Sequence, residues 1–509
     1  KDNQICLLID HRHDLLQFLI QNDPAVRQFA ETPNCHLFSP QMLTSLTSYL
    51  SGLSAESFRG VSLLRHPGSV SVSQTFYKMT EAKIQLFFKS ALSDLLTRFE
   101  FETLWLRNTL LNLRYLPVTQ GNHLSLLKHW QLFWNGRPGL LVGAGPSLRR
   151  SLPLIQKLAD SMLIVACDTA LKPLLRYGIR PHIVHVLDAQ PHTLLHLRGE
   201  DLSGIVIAAD LVVHPHLTEK LKASFLFSTT TKYFFNAAGR SVQMQTPGAQ
   251  MAESQCGTIG SLQSGGSVAT SGFDMLRFFG ASPIFMVGTD MAWTHRQLHC
   301  VGTHHYEKWA GQQHRLLSLE HINESLLQRR QVQPAQSVED ADATVPGDHV
   351  LDLYRSWFEE SVQGLGDLEV WNLTAGGAGI KGSRRPTKLD FDTVIREAAI
   401  DLTTHTTTDA KPAASDLFAN IPLLQGHRSN LLETFTKALQ ELASDAETVA
   451  KQQEFFDKYP DAAALRKKAD AYIKRNEKKL TDDRRESVLT KSISKEIKRL
   501  LRWLTSRTS

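Results

Sequence analysis

Cysteine is scarce in this chain: five residues among 509, at positions 6, 35, 167, 256 and 300, with no CxxC pair. So odd and scattered a set excludes a disulfide framework and a zinc knuckle, and it points to a reducing, cytoplasmic setting. Long apolar runs are missing too. No stretch reaches the roughly 18 residues that a bilayer crossing needs, and the opening KDNQICLLIDHRHD has no signal-peptide core, so no membrane span is expected. Charge of one sign is also in short supply. The net charge of +5, with 21% charged residues, suits small anions as ligands and gives no case for nucleic acid as a partner. The chain further lacks an HExxH pair and a lysine-bearing Walker loop. What remains is ordinary for a globular protein, 42% hydrophobic and long enough for two or three domains.

Within that background, GLLVGAGPSL at 139–148 stands out. An apolar run stops at Gly143, turns through Gly145 and restarts as a helix at Pro146 and Ser147, the pattern of a strand, an anion-binding turn and a helix start. Ordinary strand-to-helix turns share this pattern. The chain then alternates strand and helix, and the runs MLIVAC, HIVHVL, GIVIAA and PIFMVGT end in Asp168, Asp188, Asp210 and Asp290. Continuous aliphatic runs separated by helix-length segments indicate a parallel sheet covered on both faces, which puts all four aspartates on its carboxyl edge. Ligands bind at that edge in open α/β sheets, although each aspartate alone is equally suited to cap a helix.

Composition separates three regions. Residues 1–135 form an N-terminal accessory domain, with a strand at Ile5–Ile9 and then a largely helical reading from Ala25, including an aromatic, basic stretch from Phe76 to Trp134. Residues 136–400 hold the α/β core, and 401–509 a linker, DLTTHTTTDAKPAASD, followed by helices. Near the end, Ile493, Ile497, Leu500 and Leu504 share one helix face with Lys495, Lys498, Arg499 and Arg502 around it, a pattern that suits packing on its own domain or, alternatively, a membrane surface or an acidic partner.

A second turn, Gly265–Ser267, opens a helix through Phe279 that stops at Gly280 before the strand into Asp290. It repeats the anion-site logic of the first loop. After Asp290 come His295, His299, His304 and His305 with Trp293, Tyr306 and Trp309. His295 and His299 have helical i,i+4 spacing, but the loop character of the segment argues against a metal site, and a histidine here suits general-base chemistry.

Taken together, GAGPSL, VACDTALKPLLRYGIRPHIVHVLD, GGSVATSGFDMLRFFGASPIFMVGTDMAW and WNLTAGGAGIKG resemble, in order and spacing, the motility accessory factor (Maf) flagellin glycosyltransferases. The wider family includes the archaeal 6-hydroxymethylpterin diphosphokinases, and the resemblance covers about 136–390. It implies a Rossmann-like, sialyltransferase-like core in a cytoplasmic enzyme. Such an enzyme moves a nonulosonic acid, pseudaminic or legionaminic, from its CMP-activated form to Ser or Thr of flagellin; no cofactor is expected, with magnesium the one candidate. By the resemblance Gly143, Gly145 and Ser147 match the nucleotide-phosphate loop, and Asp168, Thr169 and Asp188 line the donor pocket. Gly266, Ser267 and Asp290 match the second loop and its strand, and Asn372, Gly376 and Gly377 the final turn. His182 and Thr289 depart from the family pattern at positions that bear on donor choice. Departure of the CMP phosphate needs stabilisation and the acceptor hydroxyl needs a base, for which the choice is His299, with Asp290 as its orienter or as a sugar ligand. Two alternatives remain: an ATP- and magnesium-dependent pterin diphosphokinase, with the aspartates on the metal, and a non-catalytic flagellin-binding chaperone.

Overall fold

The computed structural model describes residues 5–40, 46, 49–50, 61–116, 131, 134–235, 241–364, 366, 368–400, 430–444, 449–475 and 481–505. The chain forms two compact units, Lys1–Phe101 with Lys232–Met244, and Glu102–Thr231 with Gln245–Ser509. These run differently from the composition boundaries at 135 and 400, and the expected linker at 401–416 lies outside the described residues.

In the first unit, β1 (Cys6–Ile9) is the expected opening strand. A helix at His13–Asn22 comes next, and a second at Pro24–Glu31 whose first amides donate to the Asp23 carboxylate, as an N-cap aspartate allows. A mainly helical reading from Ala25 onward misses β2 (Cys35–Phe38), which pairs in parallel with β1. Four residues without alternation carry no strand signal of their own; β2 is a strand because β1 is there to pair with. Ile84, on the long helix Gln74–Asn112, shares a small core with Phe38, Leu46 and Leu50.

The second unit is built on a parallel sheet, as the apolar runs indicate. Its strands are β3 (Gly139–Val142), β4 (Leu163–Cys167), β5 (Ile183–Val186), β6 (Val206–Asp210) and β7 (Ser224–Phe235). β7 runs on into the segment that carries most of β8 (Ser241–Gln245), before β9 (Ser261–Gln263) and β10 (Ile284–Val287). β11 (Val332–Gln336) and β12 (Thr344–Asp348) form a separate antiparallel pair, and β13 (Val370–Asn372) comes last. The order is β13-β10-β3-β4-β5-β6-β7, every pair parallel, with β9 against the far end of β7.

Helices cover both faces. The helix Leu148–Leu158 packs Leu148, Leu152 and Ile155 with Leu140, Val142 and Ile164 on one side. The helix Val268–Phe278 packs Phe273 and Leu276 with Leu141 and Val165 on the other. Because the chain leaves β3 toward β4 and later returns on its other side as β10, the winding reverses between β3 and β10. The C-terminal helix Asp482–Thr505 buries Ile493, Ile497, Leu500 and Leu504 in one core with Leu106, Ile207 and Phe225, while Lys495, Lys498, Arg499 and Arg502 stay exposed. Its apolar stripe is therefore spent on its own unit. Replacing Ile497, which is 0% exposed, by alanine should cost about 2–5 kcal/mol in a denaturant melt, while Lys498→Ala should stay within about 0.5 kcal/mol.

Candidate functional site

The loops that leave β3 and β10 interlock at the point where the winding reverses. Gly143 N–H donates to Val287 O and Gly145 N–H to Gly288 O, each at 2.8 Å. The Asp290 carboxylate, 3% exposed, receives Ser147 N–H at 3.0 Å, Ser147 Oγ–H at 2.6 Å and Thr294 Oγ1–H at 2.5 Å. Burial pushes its pKa up, opposed by the Ser147 and Thr294 bonds and by Arg150. A Cβ on Gly145 would lie 2.2 Å from Asp290 Oδ1, and one on Gly377, at φ +92°, 2.3 Å from Asp290 O. Glycine at 145 thus makes room for a carboxylate of the same chain. Gly376 lies against Arg150, Thr294 and Ser147, and Asn372 turns the loop after β13 by accepting Thr374 N–H at 3.0 Å. Gly143, Gly145, Ser147, Asp290, Asn372, Gly376 and Gly377 therefore gather at one place. The Gly143, Gly145 and Ser147 amides, read from the sequence as a phosphate cradle, are already bonded within the protein.

At the ends of β4 and β5 a different group assembles. Asp168 is buried and accepts Thr169 N–H at 2.6 Å and Thr169 Oγ1–H at 3.1 Å. Burial pushes its pKa up to about 7 against those bonds, and the charge of Asp188 adds to the rise. Asp188 is half-exposed, accepts Gln190 N–H at 2.9 Å and sits 3.6 Å from His192 Nε2. A buried carboxyl that titrates near neutrality beside a solvated one is a known arrangement for proton transfer. Asp210 at the end of β6 is fully buried instead, receiving Val212 N–H and Thr230 Oγ1–H, and has a structural place.

The second glycine turn begins its helix as expected. Ser267 and Thr270 form a capping box, and Gly265, Gly266 and Ser267 each donate an amide to Thr270 Oγ1 or Ser264 Oγ. His299 lies elsewhere, in a histidine cluster that sequence spacing did not join. His299 stacks on His305 at 4.7 Å, and His305 lies 4.9 Å from His196 and 6.4 Å from His192. Burial lowers His299 to about 3 and His305 to about 4. A ring held neutral that firmly is a poor proton acceptor near pH 7. Among the described residues no three His, Cys, Asp or Glu side chains group to hold a metal ion. His182 accepts Ile164 N–H at 3.1 Å just ahead of β5, at the amino-terminal end of that strand. Thr289 bonds Thr374 at 3.0 Å within the interlock. Left-handed, non-glycine backbone at Met291, His295 and Arg296 comes directly after Asp290, strain of the kind that concentrates at functional loops. Thr294, four residues after Asp290, is the partner that no motif flagged.

Residues 107–296 match the family described as 6-hydroxymethylpterin diphosphokinase MptE-like. The resemblance read from the motifs thus holds for the wider family over that span. An uncharacterized protein of Treponema pallidum (strain Nichols) is 29% identical over 121 residues, 23% of this chain and 54% of that protein, so the chain spans about half the length of this curated relative. A Maf glycosyltransferase from Magnetospirillum magneticum AMB-1 superposes with a TM-score of 0.48 and 14% identity, over 98% of this chain and 74% of that one.

Two outcomes test this geometry. Gly145→Ala should cost about 1–3 kcal/mol or more, because the new methyl overlaps the Asp290 carboxylate, and thermal melting reads it. His305 is neutral in the fold down to about pH 4 but protonated near 6.5 in the unfolded chain, so its share of stability is present above 6.5 and lost as pH falls toward 4. His305→Gln should therefore gain on the wild type as pH drops from 7 to 4; parallel melting curves would contradict this.

Proposed function

We propose that this chain is a glycosyltransferase that moves a nonulosonic acid from a CMP-activated donor to Ser or Thr hydroxyls of flagellin in the cytoplasm. The donor would lie along the β4 and β5 ends. One observation supports the reading: at the carboxyl edge of the sheet burial raises the Asp168 carboxyl to about 7, while the first loop's amides are bonded inside the protein and leave a polyphosphate no cradle there. Glycosyl transfer needs a base for the acceptor hydroxyl, a place that Asp168 would fill. The sugar–phosphate bond breaks with the CMP phosphate as leaving group, the acceptor oxygen bonds to the anomeric carbon, and the hydroxyl proton goes to a base. Asp168 takes the place first given to His299, since a pKa near 7 suits a base working near neutrality and one near 3 does not. Asp188 and His192 beside it would hold the acceptor hydroxyl or a donor sugar hydroxyl. Asp290 positions the loop and does not touch substrate.

The alternative is supported by the family description: a pterin diphosphokinase would use Asp168 and Asp188 to hold magnesium and transfer pyrophosphate from ATP. Melting with CMP, CTP, ATP and ADP separates the two. CMP and CTP should stabilise the chain over ATP; stabilisation by ATP with magnesium alone would overturn the glycosyltransferase reading. Asp168→Asn should lower turnover of a CMP-activated sugar acid about 10²–10⁴-fold, and the wild-type kcat/KM should rise with pH through about 7, as a base must be deprotonated to act. The same variant should melt higher than the wild type at pH 8 and converge with it near pH 4, because burial makes the ionised carboxyl costly.

A further inference from the structure

The loop after Asp290 and the helix Leu319–Gln328 enclose a cleft of about 430 Å³ whose lining includes His299, His305, Trp309, Leu326, Arg329 and Arg330. One wall is a set of nearly parallel rings. His299 and His305 stack at 4.7 Å and 15°, and Trp309 faces them at 6.0 Å and 26° and at 5.9 Å and 29°. All three are half-buried, so part of each ring is open to the cleft. The opposite character comes from Arg329 and Arg330, which lie just past the helix, are exposed and carry no ion pair among the described residues. Arg296, by contrast, is engaged by Glu324 of that helix at 2.6 Å. No carboxylate lines the cleft, and its histidines are neutral at pH 7, so its positive charge is that of the two arginines. Parallel stacking sets the imidazole edges side by side and not toward one point, which suits a stacked ligand and not a metal ion.

We infer that this cleft binds a small anion carrying a flat ring. A nucleoside monophosphate has that chemistry, with its base against Trp309 and the His299–His305 pair and its phosphate on the two guanidinium forks. A ring carboxylate shares it. The cleft's volume is in the range of small-molecule sites, and guanidinium beside aromatic rings is a recurrent pairing for such ligands. This assignment does not rest on the donor reading, since Arg329, Arg330 and Trp309 are not part of the Asp168–Asp188 group.

Calorimetric titration of the full chain with AMP, CMP, benzoate and inorganic phosphate tests it, using the wild type, Arg329→Gln/Arg330→Gln, Trp309→Ala and Asp168→Asn. AMP or CMP should bind the wild type, and the arginine pair variant should lose about tenfold or more in affinity with an unchanged melting temperature. Trp309→Ala should weaken the nucleotides and leave inorganic phosphate unaffected. Benzoate binding that depends on the arginines and exceeds that of AMP supports the site and assigns it to ring carboxylates. Equal binding by the wild type and the arginine variant, phosphate binding as tightly as AMP, or no binding at millimolar ligand overturns the inference. Nucleotide binding lost in Asp168→Asn but kept in the arginine variant overturns it too, while leaving the donor reading intact.

Discussion

The Asp290 carboxylate holds the carboxyl edge of the sheet together. β3 and β10 are neighbours, but the backbone after each must leave in a different direction, because the winding reverses between them. Such a reversal opens a crevice lined by free amides, and here the chain closes it with its own anion. Asp290 takes both donors of Ser147 and the hydroxyl of Thr294, while its backbone carbonyl takes Ala378 N–H at 2.7 Å. Three loops, from β3, β10 and β13, thereby converge on one buried residue. Net hydrogen bonds to a charged group are each worth about 1.5–3 kcal/mol, and the cost of burying the carboxylate is what they offset.

Closing the reversal point leaves its amides without free donors. With the first loop satisfied internally, a buried carboxyl with a raised pKa, Asp168, and a half-exposed one, Asp188, lie together after β4 and β5. Asp168 is buried against Thr169, and burial raises it to about 7, whereas Asp188 stays half-exposed beside Gln190 and His192. Asp210, one strand further on, is as deeply placed as Asp168 and is raised by burial to about 6, but both of its oxygens are taken, by Val212 and Thr230.

Much of this fold was legible in the residues. The strands ending at Asp168, Asp188, Asp210 and Asp290 are buried on both faces, so their apolar runs are continuous and their ends abrupt. The helix opened by Ser267 was legible because capping is local. β2, β9 and β13 were not, being three or four residues long and made strands by their partners. At the site, the residue types were readable and their use was not. GAGPS has the composition of an anion loop because it does bind a carboxylate, one supplied 143 positions later in the same chain. No local pattern distinguishes that from a loop awaiting a ligand.

The histidines make the same point from the other side. Their density in sequence invites a catalytic or metal reading, since imidazole usually titrates near neutrality. Packing His299, His305 and His196 against one another removes water from each ring and puts like charges together if more than one is protonated, so every member is driven toward the neutral form. The cluster therefore behaves near pH 7 as a set of flat, weakly polar surfaces. Burial thus acts with opposite sign on the two kinds of group: it raises the Asp168 carboxyl toward neutrality and holds the histidines uncharged, as walls of a cavity.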